Sequence, residues 1–344
     1  MTRRRARPRA KVTSPTPRAK AAQARACANI ALAKYWGKSD VELNLPAVPS
    51  ISLTLDRLVT DTHVAFDPSL ASDAIVIDGA GASRTARARV IEMLDRVRAR
   101  AGIETRARVE TANAFPTAAG LASSASGFAA LAAAATAAAG LDVGQKELSR
   151  IARRSSASAA RSIWGGFVKL PAGVPGDTRL AARPLFDAAH WDVALVVAIA
   201  AAGPKDVGST EGMERSRRTS PYYDAWIDAA PRLARAIERG IAGRDLERVG
   251  RAMEQSTLAF HACALASDPA ILYWQPATVA LLRAVRSLRE DRGIPVFATM
   301  DAGPHVKALC LARDAARVRA ALRRAAGVVE VFVARPGPGV EVRA

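Results

Sequence analysis

The chain has 344 residues, half of them hydrophobic, and a formal net charge of +18. That length suits one large or two ordinary domains with a substantial buried core. No apolar run is long enough to span a bilayer, three scattered cysteines (Cys27, Cys263, Cys310) make no disulfide framework, and four scattered histidines show no zinc spacing.

The charge is unevenly placed. Residues 1–20 carry eight Lys/Arg and no acid. Residues 1–22 have no apolar pattern with which to fold, so a disordered, solvated basic tail is expected there. It lacks the apolar segment of a secretory signal. Beyond it, arginines mix with acids and aromatics are few, so no base-stacking surface is expected. These features predict a reduced, cytoplasmic protein with no membrane contact and no specific nucleic-acid partner.

In chain order, 26–38 (ACANIALAKYWGK) reads as an apolar strand ending in a polar turn. Residues 45–55 and 62–66 alternate as two strands. Residues 83–102 predict a helix that Ser83 caps and Gly102 ends, and 106–115 a strand. The stretch FPTAAGLASSAS (115–126) then feeds an alanine-rich helix ending at Gly140. A helix follows over 143–156, a strand and turn over 165–173, and a fully buried strand over 191–200. Residues 221–290 read as mostly helical, with breaks at Pro231, Gly240, Gly243 and near Asp268–Pro269. Strand, turn and strand over 294–312 lead to a helix over 312–327 and a last strand over 328–336. There is no regular βαβα alternation, which predicts an α+β protein with two lobes. The lobes are expected at 23–187 and 188–344.

The stretch 115–126 has the look of a phosphate site. Gly120 allows a tight turn and close backbone approach. Ser123 or Ser124 can cap the next helix, whose first N–H groups attract an anion. Without a following lysine it is not the G-x-x-x-x-G-K-[ST] loop, and alone it is also an ordinary helix start.

Three further stretches sharpen that reading: ANIALAKYWGKSD (28–40), ARRSSASAARSIWGG (152–166) and ATMDAGPHVKAL (298–309). With FPTAAGLASSASGFAAL, and with KDVGSTEGM (205–213) and FHACAL (260–265), they resemble the mevalonate diphosphate decarboxylases of the GHMP small-molecule kinase superfamily. The resemblance covers nearly everything after residue 22. It implies a ribosomal-S5-like N-terminal lobe, a ferredoxin-like C-terminal lobe and an active site between them. It also implies ATP and Mg²⁺, and the substrate mevalonate 5-diphosphate. Phosphorylation of the 3-hydroxyl, then loss of phosphate and CO₂, gives isopentenyl diphosphate. Homodimers are common in the family.

The resemblance assigns roles residue by residue. Asp301 would orient the tertiary hydroxyl, Lys34 would stand beside it and neutralise transferring charge, and Arg161 would face the substrate carboxylate. Tyr35, Lys38, Ser156, Ser158 and Ser209 would contact substrate. The family's Ser-Gly-Ser is here Ser156-Ala157-Ser158, which requires a different loop if that glycine uses positive φ. Asn113, Gly120, Leu121, Ala122, Ser123 and Ser124 would hold ATP, with Ser124, or else Ser123, toward the metal. Trp36 and His261 read as packing residues and His305 as a turn residue. Mevalonate 3-kinases lack the equivalents of Asp301 and Lys34. Monophosphate decarboxylases keep them, and Tyr35, Lys38 and Ser158 favour the diphosphate.

Overall fold

The computed structural model describes residues 21–114, 123–200 and 206–343. The basic tail up to residue 20, Gly120, Leu121, Ala122 and Lys205 lie outside the described residues.

One strand with two burial patterns organises the N-terminal half. In β1 (Ala21–Ala33) the first residues alternate exposed and buried, and from Ala26 onward every residue is buried. β1 pairs antiparallel with β4 (Ser50–Phe66), and their register slips between Cys27 and Asn29. The partners jump from Cys27–Val59 to Asn29–Thr54, a shift of three residues, and an odd-numbered slip exchanges the faces of a strand. Ala22, Ala24 and Ala26 therefore enter a core beneath the helices, whereas Ala28, Ile30 and Leu32 enter a core shared with the C-terminal half.

The two strands expected at 45–55 and 62–66 are largely one, because β4 runs unbroken for 17 residues. Pairing with β1 along both of its halves keeps the intervening segment extended. Leu45–Pro46 instead forms a short β3 against β2 (Lys38–Asp40). The large sheet continues from β4 to β7 (Ala107–Asn113), β5 (Ala74–Ile77) and β6 (Ala80–Gly81), and branches to β8 (Phe167–Leu170) and β9 (Arg183–Phe186). Its edge beside β1 is β14 (Glu341–Arg343), so the chain end returns to the N-terminal sheet.

Three helices cover one face. α1 (Arg84–Ala101) starts as expected, with Ser83 Oγ accepting from Ala86 N–H, and ends at Gly102 in the left-handed region. α2 (Ser123–Ala138) is the alanine-rich helix, buried on nearly all sides. A helix apolar all round belongs inside a core, and its small side chains let it lie close to β1 and β4. α3 (Gln145–Ser155) completes the layer.

In the C-terminal half, β10 (Val193–Ala200), β11 (Val296–Met300), β12 (Val306–Leu311) and β13 (Val328–Ala334) form an antiparallel sheet in the order β11-β12-β10-β13. Helices α4 (Ser209–Thr219), α5 (Tyr223–Ala242), α6 (Leu246–Leu265) and α7 (Pro276–Glu290) lie between β10 and β11, and α8 (Ala315–Leu322) between β12 and β13. This is the split β-α-β-β-α-β arrangement of ferredoxin-like domains. The break expected at Pro231 does not occur: α5 runs through it. Its buried stripe of Trp226, Ala230, Leu233 and Ile237 spans the proline, so packing outweighs the lost hydrogen bond.

Alternation on β12 sorts its residues cleanly. Val306, Ala308 and Cys310 face the core under α7 and α8, whereas Leu309 faces the core shared between halves. Lys307 lies on Leu309's side of the strand, 1% exposed.

Candidate active site between the two sheets

Asp301 follows the last residue of β11. Thr257 on α6 pins that strand end, since its hydroxyl donates to Met300 O (2.9 Å) and accepts from Met300 N–H (3.0 Å). Gly303 N–H turns back onto Asp301 O at 2.7 Å. The carboxylate then lies between two ammonium groups. Lys34 Nζ donates to Oδ1 at 2.8 Å and Lys307 Nζ to Oδ2 at 2.9 Å. The lysine side chains are 3% and 1% exposed, but Asp301 is 27% exposed. The carboxylate thus keeps an open edge toward the cleft.

Charge follows from this geometry. Burial alone would raise the carboxyl pKa; the Lys307 and Lys34 charges overcome it and hold Asp301 well below the usual carboxylate range. Burial lowers the Lys34 ammonium to about 8, with Asp301 opposing and Lys307 and Arg161 adding to the drop. Lys34 comes from the end of β1, and its backbone N–H donates to Ser256 Oγ on α6 at 3.0 Å. The pair therefore bridges the two halves of the molecule.

Arg161 is 2% exposed and lies in the turns after α3. Its Nε donates to Ser52 Oγ (3.0 Å) and Asn29 Oδ1 (3.2 Å), and its Nη1 to Ser50 Oγ (2.6 Å). All these partners are neutral. Burial lowers its pKa to about 10, with the Asp301 charge opposing, so it stays cationic at neutral pH. A buried guanidinium on neutral partners suits a carboxylate from elsewhere. Asn29 is itself fixed, donating to Ser158 O (3.0 Å) and Ser162 Oγ (2.8 Å).

The polar turn after β1 carries the next group. Gly37 adopts φ +109°, and a side chain there would strike the Tyr223 hydroxyl. Lys38 is half-buried; burial and then the nearby Arg89 lower its pKa. Arg89 stacks on Phe128 and donates to Ser155 O at 2.7 Å. Ser156 and Ser158 share a hydrogen bond of 2.9 Å. Ala157 between them is not among the positive-φ residues, so this loop has no need of glycine there. The Tyr35 hydroxyl is buried without a hydrogen-bond partner among the described residues.

With this geometry in place, the comparisons with known proteins are decisive. Two family models match, the diphosphomevalonate decarboxylase-like N-terminal domain over residues 26–181 and the mevalonate 5-diphosphate decarboxylase C-terminal domain over 195–333. The chain belongs to the mevalonate diphosphate decarboxylase family. The diphosphomevalonate decarboxylase of Eremothecium gossypii is 36% identical over 308 residues, covering 84% of this chain and 77% of that one. The phosphomevalonate decarboxylase of Haloferax volcanii is 34% identical over 275 residues, covering 80% and 83%. The structure of MDDEF in complex with MVAPP, AMPPCP and magnesium superposes with a TM-score of 0.89 at 38% identity, covering 94% of this chain and 99% of that one. The α+β, two-lobed GHMP kinase fold expected from sequence is therefore the fold found.

The residues that the family resemblance assigns to nucleotide lie apart from Asp301 in sequence. Ser123 opens α2 and Ser124 follows it, exposed. Ser126 ties this first turn to β4, accepting from Thr60 Oγ1 at 2.7 Å. Asn113 ends β7, where its amide contacts Asp78 (3.2 and 3.3 Å) and Thr60 (2.6 Å). Ser209 is the exposed first residue of α4. Gly120, Leu121 and Ala122 fall outside the described residues.

Trp36 packs on Phe260 at 5.0 Å, and His261 is buried against Phe260 at 4.0 Å. Burial lowers the His261 pKa to about 3, the Lys34 charge adding to the effect. His305 ends the turn between β11 and β12; it is 3% exposed and its Nδ1 accepts from Ala200 N–H at 3.1 Å. Sequence reasoning missed Lys307 and Asn29. Lys307 had a readable signal, a lone cation inside the apolar strand HVKALCLA. Asn29 had only its place among apolar residues of a strand, where a polar side chain must find partners.

Proposed function

We propose that this chain catalyses the ATP-dependent decarboxylation of (R)-mevalonate 5-diphosphate to isopentenyl diphosphate, ADP, phosphate and CO₂. The observation that carries the reading is the Lys34–Asp301 contact across the two halves, beside the buried Arg161 whose partners are neutral. In this reading Asp301 accepts a hydrogen bond from the 3-hydroxyl and aims its oxygen at the γ-phosphorus. A tertiary alcohol is a poor nucleophile, so placement counts for much. A carboxylate held so far below its usual range is a poor base, and the hydroxyl proton passes late to a phosphoryl oxygen. The new O–P bond forms as the bond to ADP breaks, with the electron pair leaving on ADP. Lys34 neutralises the charge in transit.

Arg161 then fixes the carboxylate plane. The C–CO₂ bond breaks, its pair forms the new C=C bond, and the C3–O pair leaves with phosphate. Tyr35 and Lys38 hold the diphosphate, Ser156 and Ser158 the carboxylate and diphosphate ends of the substrate, and Ser209 stands near the γ-phosphate. Gly120 to Ser124 and Asn113 hold ATP.

No group of three His, Cys, Asp or Glu side chains able to hold a metal occurs among the described residues. Mg²⁺ prefers substrate phosphates and water to a protein cage, and the Ser124 hydroxyl, exposed in the first turn of α2, would be the protein's contribution. When bound, Mg²⁺ neutralises phosphate charge.

We assign the nucleotide-binding lobe to 23–187 and the ferredoxin-like lobe to 188–344, with β14 reaching back to the first sheet. No helix among the described residues is long and apolar enough to cross a membrane. Three buried free cysteines support a reduced, cytoplasmic protein. A homodimer is proposed on family grounds, and no specific nucleic-acid partner. Loss of nucleic-acid affinity on deleting 1–22, with turnover intact, would show that the tail charge is incidental.

The test is one assay with ATP, Mg²⁺ and either the 5-diphosphate or the 5-phosphate, following ADP and CO₂. ADP without CO₂ sinks the decarboxylase reading. CO₂ from the monophosphate alone transfers the chain to the substrate named for the Haloferax relative.

A further inference from the structure

The geometry points to Lys307 as a positioning residue for phosphoryl transfer: it fixes the plane of the Asp301 carboxylate and so frees Lys34 to follow the transferring charge. This rests on the reading above and deepens it.

Lys307 pairs with Thr299 across β11 and β12, and opposite residues share a face. Asp301 lies two residues beyond Thr299, on the same side. The lysine is therefore delivered under Asp301 from the sheet floor, whereas Lys34 arrives from the other half of the molecule. Each ammonium takes a different carboxylate oxygen, at 2.9 and 2.8 Å.

Chemistry gives the two lysines different jobs. With a single cation, any movement of Lys34 toward a phosphate would leave the partly buried Asp301 carboxylate without a cationic partner. It would also let Asp301 rotate away from the hydroxyl. Lys307, 1% exposed on a sheet strand, has no such freedom. It holds Oδ2 and leaves the open edge of Asp301 aimed at the cleft. A third site cation, Arg161, is already committed to Ser50, Ser52 and Asn29. The charged and titratable groups around Lys34 are thus Asp301, Lys307, Arg161 and His261.

Lys307→Met and Lys307→Gln test the proposal in the full chain. Either folded variant is expected to lose about 100-fold in kcat, with KM for both substrates changed less than about threefold. In an Asp301→Asn background the same substitution should cost less than about twofold, because Lys307 acts through Asp301. The alkaline limb of kcat should also move to higher pH. Lys307 repels the Lys34 proton, so its removal lets Asp301 hold that proton longer. A lysine whose charge did not reach Lys34 would leave that limb in place, and a purely structural one would not spare KM while lowering kcat. Unchanged kcat, an unmoved limb, a full additional loss in the Asp301→Asn background, or failure of both variants to fold each overturns the inference. Wild-type chain that releases no CO₂ with ATP defeats the functional reading instead, so the two failures are distinguishable.

Discussion

The Lys34 ammonium lies 2.8 Å from Asp301 Oδ1 although 267 positions separate the two in sequence. The contact exists only because β1 of one half ends against α6 of the other, where Lys34 N–H meets Ser256. Removing the Asp301 charge leaves two buried ammonium groups, Lys34 and Lys307, without their carboxylate. Asp301→Asn is expected to lower kcat by about 1000-fold, with KM values for ATP and substrate within a few-fold. Steady-state assays decide it, and near-normal turnover in a folded Asp301→Asn protein removes Asp301 from the mechanism.

The pH dependence follows from Lys34. Burial brings its pKa down to about 8, and the protonated form is the one that pairs with Asp301 and neutralises phosphate. As pH rises through about 8 the proton is lost, so kcat should fall on an alkaline limb centred there. Lys34→Arg keeps its charge at that pH, and any activity it retains should lack the limb. A flat wild-type profile from pH 7 to 10 contradicts this assignment of charge.

What was legible in the sequence divides along physical lines. Asp301, Lys34 and Arg161 stand in short stretches that resemble the family's motifs, so they could be named before their distances were known. The element pattern alone gave an α+β protein with two lobes, and the ferredoxin-like lobe was implied by the family resemblance. The continuity of β4 was not, because only its pairing with β1 holds the middle extended. Nor was the face exchange at Cys27–Asn29, which a register slip creates and periodicity conceals. Short strands such as β6 and β14 carry too few residues for any alternation. Lys307 was missed because a lysine in a strand ordinarily reads as a solvated residue, and the alternation that buries it becomes evident only beside β11.

Asn29 controls Arg161 through one amide. Its oxygen accepts from Nε while its nitrogen donates to Ser158 O and Ser162 Oγ. Asn29→Ala strips all three contacts, and kcat/KM should fall by about 10- to 100-fold. Buried groups left unpaired should cost about 1–3 kcal/mol. Asn29→Asp is the sharper variant. Its carboxylate pairs with Arg161 and competes with the substrate's own, so its kcat/KM should fall below that of Asn29→Ala. The reverse ranking would mean that Arg161 does not receive the substrate carboxylate.

Lys38 is expected to choose between substrates. A diphosphate brings one more phosphate to the Lys38, Arg89 and Ser158 end than a monophosphate does. Lys38→Ala should therefore raise KM for the 5-diphosphate by about tenfold or more, and change any residual use of the 5-phosphate far less. Equal effects on both would place Lys38 away from the distal phosphate.

His261 links the site to acid stability. It is 1% exposed, and burial holds its pKa near 3 against an ordinary value of 6.5. The native protein refuses a proton that the unfolded chain accepts below pH 6.5. Its contribution to stability is therefore complete above pH 6.5 and is lost as pH falls toward 3. The slope from this residue is about 1.4 kcal/mol per pH unit through that window. His261→Gln removes the titrating ring but not its polarity. In urea unfolding, the difference in stability between His261→Gln and wild type should shift in favour of the variant between pH 6.5 and 4.5. A constant difference across that range would mean that His261 is protonated in the native state, with a positive charge beside Lys34.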